Sequence, residues 1–398
     1  MKLRTLAFAL AATMFAAPAV AKTKVVLWHA YRATEKKALE KVAADFNKSQ
    51  GDVEVELVAI PYDAFGDKIT AAIPRGKGPD LFIFAQDRLG DWAASQTIEA
   101  IDFWVTDETR DQFLEPTLEA LTYDDQIYGL PMAFKTLALF YNKGLVKKAP
   151  TTTDELIAEA KKVTKGGKFG LVYENTSFWY QGTWLQGFGG AVFDKRGKPT
   201  LASPQVIDSM KFAQKLAHGS GVMPQEVTST LVTSLFNQGK AAFVVNGPWF
   251  IGEIDKKVKW GVAPLPKIVD AGGKPARPFL TADGLMMSAK AKDKKAAFAV
   301  MTYFTGVDAA VTMATIGRQP TANKAAYANA KVKNDPVLAV FKKQLAVSRP
   351  TPNTPAMRMV WSPVTAAMNK IINQKADAAS TMKATQDEVA KLVKTARR

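Results

Sequence analysis

The chain contains no cysteine and only two histidines, His29 and His218, far apart and without companions at metal-ligand spacing. The first absence leaves no disulfide, no thiolate metal site and no lipid-bearing cysteine behind a leader to expect. The second leaves each histidine a lone hydrogen-bonding group by default. A His-Glu-x-x-His pair, a phosphate loop and a Gly-x-Ser-x-Gly elbow are also missing, as is a glycine fingerprint after the first strand. Metallopeptidase, nucleotide, serine-hydrolase and dinucleotide chemistry therefore lack their usual devices. No cofactor or metal is expected. Acids are plentiful, so the opposed carboxylates of a glycosidase stay open.

What is present begins with an address. Lys2 and Arg4 precede the apolar stretch "LAFALAATMFAAPAV", and Ala19-Val20-Ala21 supplies a small-x-small cleavage pattern. This reads as a secretory signal peptide over residues 1–21, with the mature chain starting at Lys22 and the periplasm as destination. The remaining length is ample for two domains. At 47% hydrophobic and 23% charged, the composition is that of a globular protein. The formal charge is +16, two less once Lys2 and Arg4 leave with the leader. Most lysines alternate with acids and alanines, as in "TEKKALEKVAADFNKS", so they read as solvated helix faces. Nucleic acid is not an expected partner.

From Lys24 the pattern is strand, helix, strand, helix, strand. "VVLWH", "VEVELVAI" (53–60) and "LFIFA" (81–85) are strand-like, with helical periodicity from Thr34 to Phe46 and over 62–72. "DRLGDWAASQ" reads as the following helix. This is the rhythm of a parallel α/β sheet. It changes near residue 128, where "YGLPMAFKTLALFYNKGL" is a long extended stretch. Helices near 153–164, 203–217 and 228–238 then alternate with strands near 169–172, 241–245 and 258–263. "PFLTADGLMMSA" (278–289) marks a second changeover, and helices over 292–304, 307–316, 336–346 and 361–396 complete the chain. Two α/β lobes with more than one crossing follow, and clefts between lobes are favoured small-molecule sites.

Aromatics stand out against this background. "SFWYQGTW" (177–184) interleaves four rings with Ser, Gln, Gly and Thr, "FVVNGPWF" (243–250) stops a strand just before Trp249, and Trp361 follows a proline-rich loop. Singly, each ring reads more readily as core. Together they fit a carbohydrate cleft, because a pyranose has apolar C–H faces for rings and a belt of hydroxyls for charged groups. Asp87 closes the run "LFIFAQ" beside Arg88, where parallel sheets hold ligands, although an N-cap on the next helix reads equally well.

At these residues the chain resembles the periplasmic maltose- and maltodextrin-binding proteins of ABC importers. The marks are "VVLWHAYR" (25–32), "GPDLFIFAQDRLG" (78–90), "YGLPMAFKTLALFYNKGL" (128–145), "LQGFGG" (185–190), "FNQGKAAFVVNGPW" (236–249), "RPTPNTPAM" (349–357) and Trp361. The resemblance implies an α/β periplasmic binding protein fold of two discontinuous lobes joined by hinge strands. The first lobe takes residues 22–133 and 284–328, the second 134–283 and 329–398. It further implies that Phe84, Asp87 and Arg88 line the first lobe's side. Trp179, Tyr180, Trp249 and Trp361 supply rings. Lys135 stands where related chains carry an acid, and the segment "HAYRATE" departs from the usual loop, adding Lys135, His29, Tyr31 and Arg32 as contacts. The implied protein is a monomeric, non-enzymatic receptor delivering maltose or maltodextrin to an ABC permease. A different oligosaccharide such as trehalose, or a secreted glycoside hydrolase, is the alternative.

Overall fold

The computed structural model describes residues 22–396, so the leader read over residues 1–21 lies outside the described residues. Strand β1 (Thr23–His29) leads through α1 (Ala33–Ser49), β2 (Val53–Ala59) and α2 (Tyr62–Ala72) to β3 (Leu81–Ala85). A 3₁₀ turn at Gln86–Arg88 then precedes α3 (Leu89–Ala94). β1 pairs in parallel with β2 and with β3. "LFIFA" is apolar at every position because both faces of β3 are covered. Leu81 and Ile83 join one cluster with Leu39, Val42 and Val300. Phe82 and Phe84 join another with Ile69 and Trp92. Each such side chain contributes about 1.5–3 kcal/mol on leaving water.

The chain crosses to a second sheet through β4 (Gly129–Lys135) and β5 (Ala138–Asn142). There follow α4 (Thr153–Val163), β6 (Phe169–Val172), α5 (Phe178–Gly187), α6 (Pro204–Gln214) and α7 (Ser229–Asn237). β7 (Ala241–Asn246) and β8 (Trp260–Ala263) complete the sheet order β8-β5-β7-β6. The chain returns along β9 (Phe279–Met287), which lies antiparallel to both β3 and β4. Helices α8 (Lys294–Thr305) and α9 (Val307–Thr315) pack on the first lobe. Helix α10 (Pro336–Leu345) packs on the second, and β10 (Arg349–Pro350) joins β9 in parallel. Helices α11 (Arg358–Asn373) and α12 (Ala378–Ala396) close the second core around Phe140, Trp184 and Phe243. Each lobe therefore has its own sheet and its own apolar interior.

Polar groups at the crossing are satisfied locally. Thr136 Oγ1 donates to the Phe279 carbonyl at 3.0 Å and lies 2.8 Å from Ser348 Oγ. A buried hydroxyl left unpaired there would cost about 1–3 kcal/mol. The proline loop is tied to the first lobe: Gly90 N–H donates to the Asn353 carbonyl at 2.9 Å, and Asn353 Nδ2 donates to Thr122 O at 2.8 Å.

One expectation fails at the C-terminus. The segment 361–396 forms two helices rather than one, because Lys375 takes a left-handed φ of +57°. Asp377 Oδ1 then accepts Ser380 N–H at 2.8 Å to cap the second piece, while Gln214 Nε2 donates to Ile371 O at 3.0 Å. Both pieces bury an apolar stripe, so periodicity does not register the break.

Gly182 in α5 abuts the crossing strand, since a Cβ there would lie 2.3 Å from the Phe279 ring. Gly182→Ala is expected to destabilise the protein by about 1–3 kcal/mol through overpacking. This should hold despite the roughly 1 kcal/mol that alanine gains over glycine within a helix. Urea midpoints read the effect, and an unchanged midpoint would show that the ring moves aside freely.

Candidate functional site

Between the lobes lies a cleft of about 780 Å³, within the size range of small-molecule sites. Its floor is the crossing of β4 on β9, where Lys135 stands opposite Thr281. Lys135 Nζ is 3.0 Å from Asp283 Oδ2, and Tyr31 Oη donates to the same oxygen at 3.2 Å. Burial disfavours charge on Lys135, but Asp283 and Glu35 hold the ammonium protonated well above the ordinary lysine range. Burial, with Asp283 adding to it, also keeps the Tyr31 hydroxyl protonated far above its ordinary value. Glu35 accepts from Gln319 Nε2 at 2.8 Å. Arg32 stands exposed at the lip, just before α1. The floor thus presents fixed donors on paired strands.

The second lobe supplies an apolar wall. At the end of β7, Asn246 Oδ1 accepts Gly247 N–H at 2.9 Å and Tyr180 Oη at 3.1 Å. Tyr180 becomes a buried strut whose hydroxyl is held protonated by burial and by Glu174. Its neighbour Trp179 faces the cleft, with its ring 5.5 Å from that of Trp249 and tilted by 57°. Trp249 folds back over Gly247, where a Cβ would lie 2.1 Å from the indole. Only glycine leaves that space. Trp249 remains 39% exposed, whereas Phe250 is wholly buried against Phe140 and Phe236. The turn therefore anchors one ring and offers the other.

On the first lobe Phe84 lines the cleft but is only 7% exposed. Its ring is sandwiched between Phe65, at 5.0 Å and 6°, and Tyr62, at 5.2 Å and 28°. Tyr31, Arg32, Phe84, Lys135, Trp179 and Trp249 thus come together in one cavity. His29, Asp87, Arg88, Tyr180 and Trp361 lie outside its lining, His29 being buried at the end of β1. Arg88 Nη1 is drawn 2.7 Å from Asp67 Oδ1 and lies across the backbone at Gly66. Asp87 sits inside the 3₁₀ turn and caps no helix; its Oδ1 is buried without a partner. Trp361 is half-buried, edge-on to Phe178 at 5.7 Å and Phe279 at 6.4 Å.

Sequence reasoning missed Tyr62, Asp283, Glu35 and Gln319, all of which line the cleft. Asp283 did carry a signal: a lone acid inside "FLTADGLMM" needs a buried partner. Tyr62 follows Pro61 at the first turn of α2 and is 49% exposed. Glu35 and Gln319 are ordinary polar residues until the fold brings them together.

Comparison with known proteins adds to this geometry. The family described as bacterial extracellular solute-binding protein matches residues 32–311. The chain is 31% identical to a maltotriose-binding protein of Pyrococcus abyssi (strain GE5 / Orsay), covering 92% of this chain and 82% of that one. It is 26% identical to a maltooligosaccharide ABC transporter solute-binding lipoprotein of Streptococcus pneumoniae (strain ATCC BAA-255 / R6), covering 86% and 83% respectively. A crystal structure of a cyclo/maltodextrin-binding protein complexed with maltotetraose superposes with a TM-score of 0.86 at 31% identity, covering 94% of this chain and 98% of that one.

Two buried groups give the protein a testable pH response. Burial pushes the Asp87 carboxyl up to about 6, against the opposing pull of Arg88. Burial, with Lys36, pushes His29 down to about 4. The Asp87 contribution is present below its unfolded pKa of about 3.9 and is lost as pH rises through 6. The His29 contribution is present above about 6.5 and is lost as pH falls toward 4. Each amounts to about 3 kcal/mol with opposite slope, so the two cancel over this window. Asp87→Asn removes one side of the balance. Relative to wild type, its urea-unfolding free energy is expected to climb between about pH 4 and about pH 6. A difference that stays constant with pH would show that Asp87 does not titrate there.

Proposed function

The chain belongs to the bacterial extracellular solute-binding protein family, and from that premise we propose that it is a maltodextrin receptor serving an ABC importer. It is an exported protein; the proposal places it in the periplasm as a monomer. The observation that carries the ligand class is the charge balance of the cleft. Arg32, Lys135 and Arg318 are matched there by Glu35, Asp283 and Glu253, although the whole chain is at +16. A balanced cleft with an indole wall fits a neutral ligand having apolar faces and a rim of hydroxyls. Stacking on Trp179 and Trp249 covers a pyranose face, while Lys135 and Arg32 donate charge-assisted hydrogen bonds to hydroxyl oxygens. The printed ligands of the similar proteins support an α-glucan within that class.

The work done is capture and closure, without covalent chemistry. Asp283 already accepts from Lys135 and Tyr31, and Glu35 from Gln319, so the floor carboxylates are engaged as structural acceptors. Bound sugar favours the closed arrangement, and the closed lobes present the ligand to the permease.

Maltotriose at about 100 times its dissociation constant is expected to stabilise the protein by roughly 2.7 kcal/mol, read as a raised melting temperature. It should also change tryptophan fluorescence. A shift with another sugar class and none with α-glucans would overturn the ligand; cleavage of maltoheptaose, abolished by an acid-to-amide change, would overturn the receptor. Trp249→Ala is expected to weaken glucan binding roughly tenfold in calorimetry with the lobes still folded. Phe250→Ala, one residue on, should instead cost about 3–5 kcal/mol of stability.

A further inference from the structure

We propose that Tyr62 is the first lobe's stacking platform, the ring that meets the sugar face opposite Trp179 and Trp249. The inference deepens the receptor reading and rests on it. Phe84 is the β3 ring that lines the cleft, yet at 7% exposure it has little surface left to offer. Tyr62 is the outer member of the column Tyr62–Phe84–Phe65, whose centroids are 5.2 and 5.0 Å apart, with Trp92 tilted behind at 5.8 Å. The column fixes the plane of the Tyr62 ring while 49% of the residue stays exposed. A ring held this way has little rotamer freedom left to lose on binding. Pro61 at the N-cap of α2, with φ −56° and ψ 135°, fixes the direction from which Tyr62 enters the helix.

Position supports the assignment. Tyr62 and the pair Trp179–Trp249 line the same cleft from different lobes. Burial, with Asp87 adding to it, keeps the Tyr62 hydroxyl neutral above the ordinary tyrosine range, and Lys135 is close enough to act on it in the opposite sense. The ring thus lies within electrostatic reach of Lys135 and Asp283, with half of the residue uncovered. The ligand it takes is a pyranose with a flat C–H face and hydroxyls at its rim. Because Tyr62 sits on the wall opposite the indoles, its contact is completed when the lobes close.

The test is calorimetric titration of maltotriose into wild type, Tyr62→Ala, Tyr62→Phe and Tyr62→Trp, with ligand-free melting temperatures alongside. Tyr62→Ala is expected to weaken binding roughly tenfold. Tyr62→Phe and Tyr62→Trp should keep most of the affinity, and all four ligand-free proteins should melt alike. If Tyr62→Ala binds as tightly as wild type, or more tightly, the tyrosine is a cover over Phe84 and the proposal falls. If Tyr62→Phe loses as much as Tyr62→Ala, the hydroxyl makes the contact and the platform is equally overturned. Wild type lacking affinity for every α-glucan would refute the maltodextrin reading instead. The same series on whichever sugar raises the wild-type melting temperature then decides the platform by the same two results.

Discussion

Lys135 and Asp283 pair at 3.0 Å across two strands that run between the lobes, and the shape of the cleft follows from that crossing. A buried ion pair adds little net stability, because the desolvation of both partners offsets most of their attraction. What it adds is position. Asp283 has a second donor in Tyr31, so its charge is answered from two sides, and Lys135 keeps an ammonium at the cavity floor. The backbone beneath is fixed in turn by Thr136, Phe279 and Ser348. Moving the backbone that carries either group would require breaking the β4–β9 pairing.

The rings around the cleft obey a common construction. Each ring open to the cleft adjoins a buried one: Trp249 precedes Phe250 in the same turn, Trp179 stands edge-on to Tyr180, and Tyr62 stacks on Phe84. The buried member is held by packing, or for Tyr180 by a hydrogen bond to Asn246. The ring contact orients Trp179 and Tyr62, whereas Trp249 is oriented by Gly247 and by Trp179. This explains why aromatic segments that look too polar for a core are not simply surface. Half of each pair is core, and the other half is a tool mounted on it.

Much of the fold was legible because its strands are covered on both faces. "LFIFA" and "AAFVVN" are continuous apolar runs for that reason, and helical periodicity between them marks the layers. The turn before Trp249 was legible too, since Asn246-Gly247-Pro248 must end β7 and the next ring must go somewhere. Orientation of single side chains was not. Arg88 turns to Asp67, and Trp361 lodges against Phe178 and Phe279, through partners distant in sequence. Tyr62 escaped notice because half-exposed residues in a first helical turn look like solvent-facing ones until Phe84 is seen beneath. The break at Lys375 was hidden by an apolar stripe that continues past it.

Closure imposes a last constraint on which of these groups can matter. A ligand shifts an equilibrium only by its difference in affinity for the two states. Moving a population from 1:99 to 99:1 takes a difference of about 5.5 kcal/mol. On the receptor reading, Trp179 and Trp249 share one lobe and Lys135 and Asp283 lie on the crossing strands, so a ligand seated on them gains little from these groups when the lobes close. Their contribution is to affinity. On the receptor reading the difference comes from the first lobe's wall and lip, where Tyr62 and Arg32 stand. One stacking contact gives about 0.5–1.5 kcal/mol beyond buried area, and a hydrogen bond to a charged group about 1.5–3 kcal/mol. Ring and guanidinium together supply about 2–4.5 kcal/mol before the area that the ring buries is added. Each further hydroxyl bonded to a charged group on the first lobe adds about 1.5–3 kcal/mol to that difference. On the receptor reading, a glucan long enough to touch floor, indole wall and lip at once therefore gathers more of this difference than a single glucose ring does.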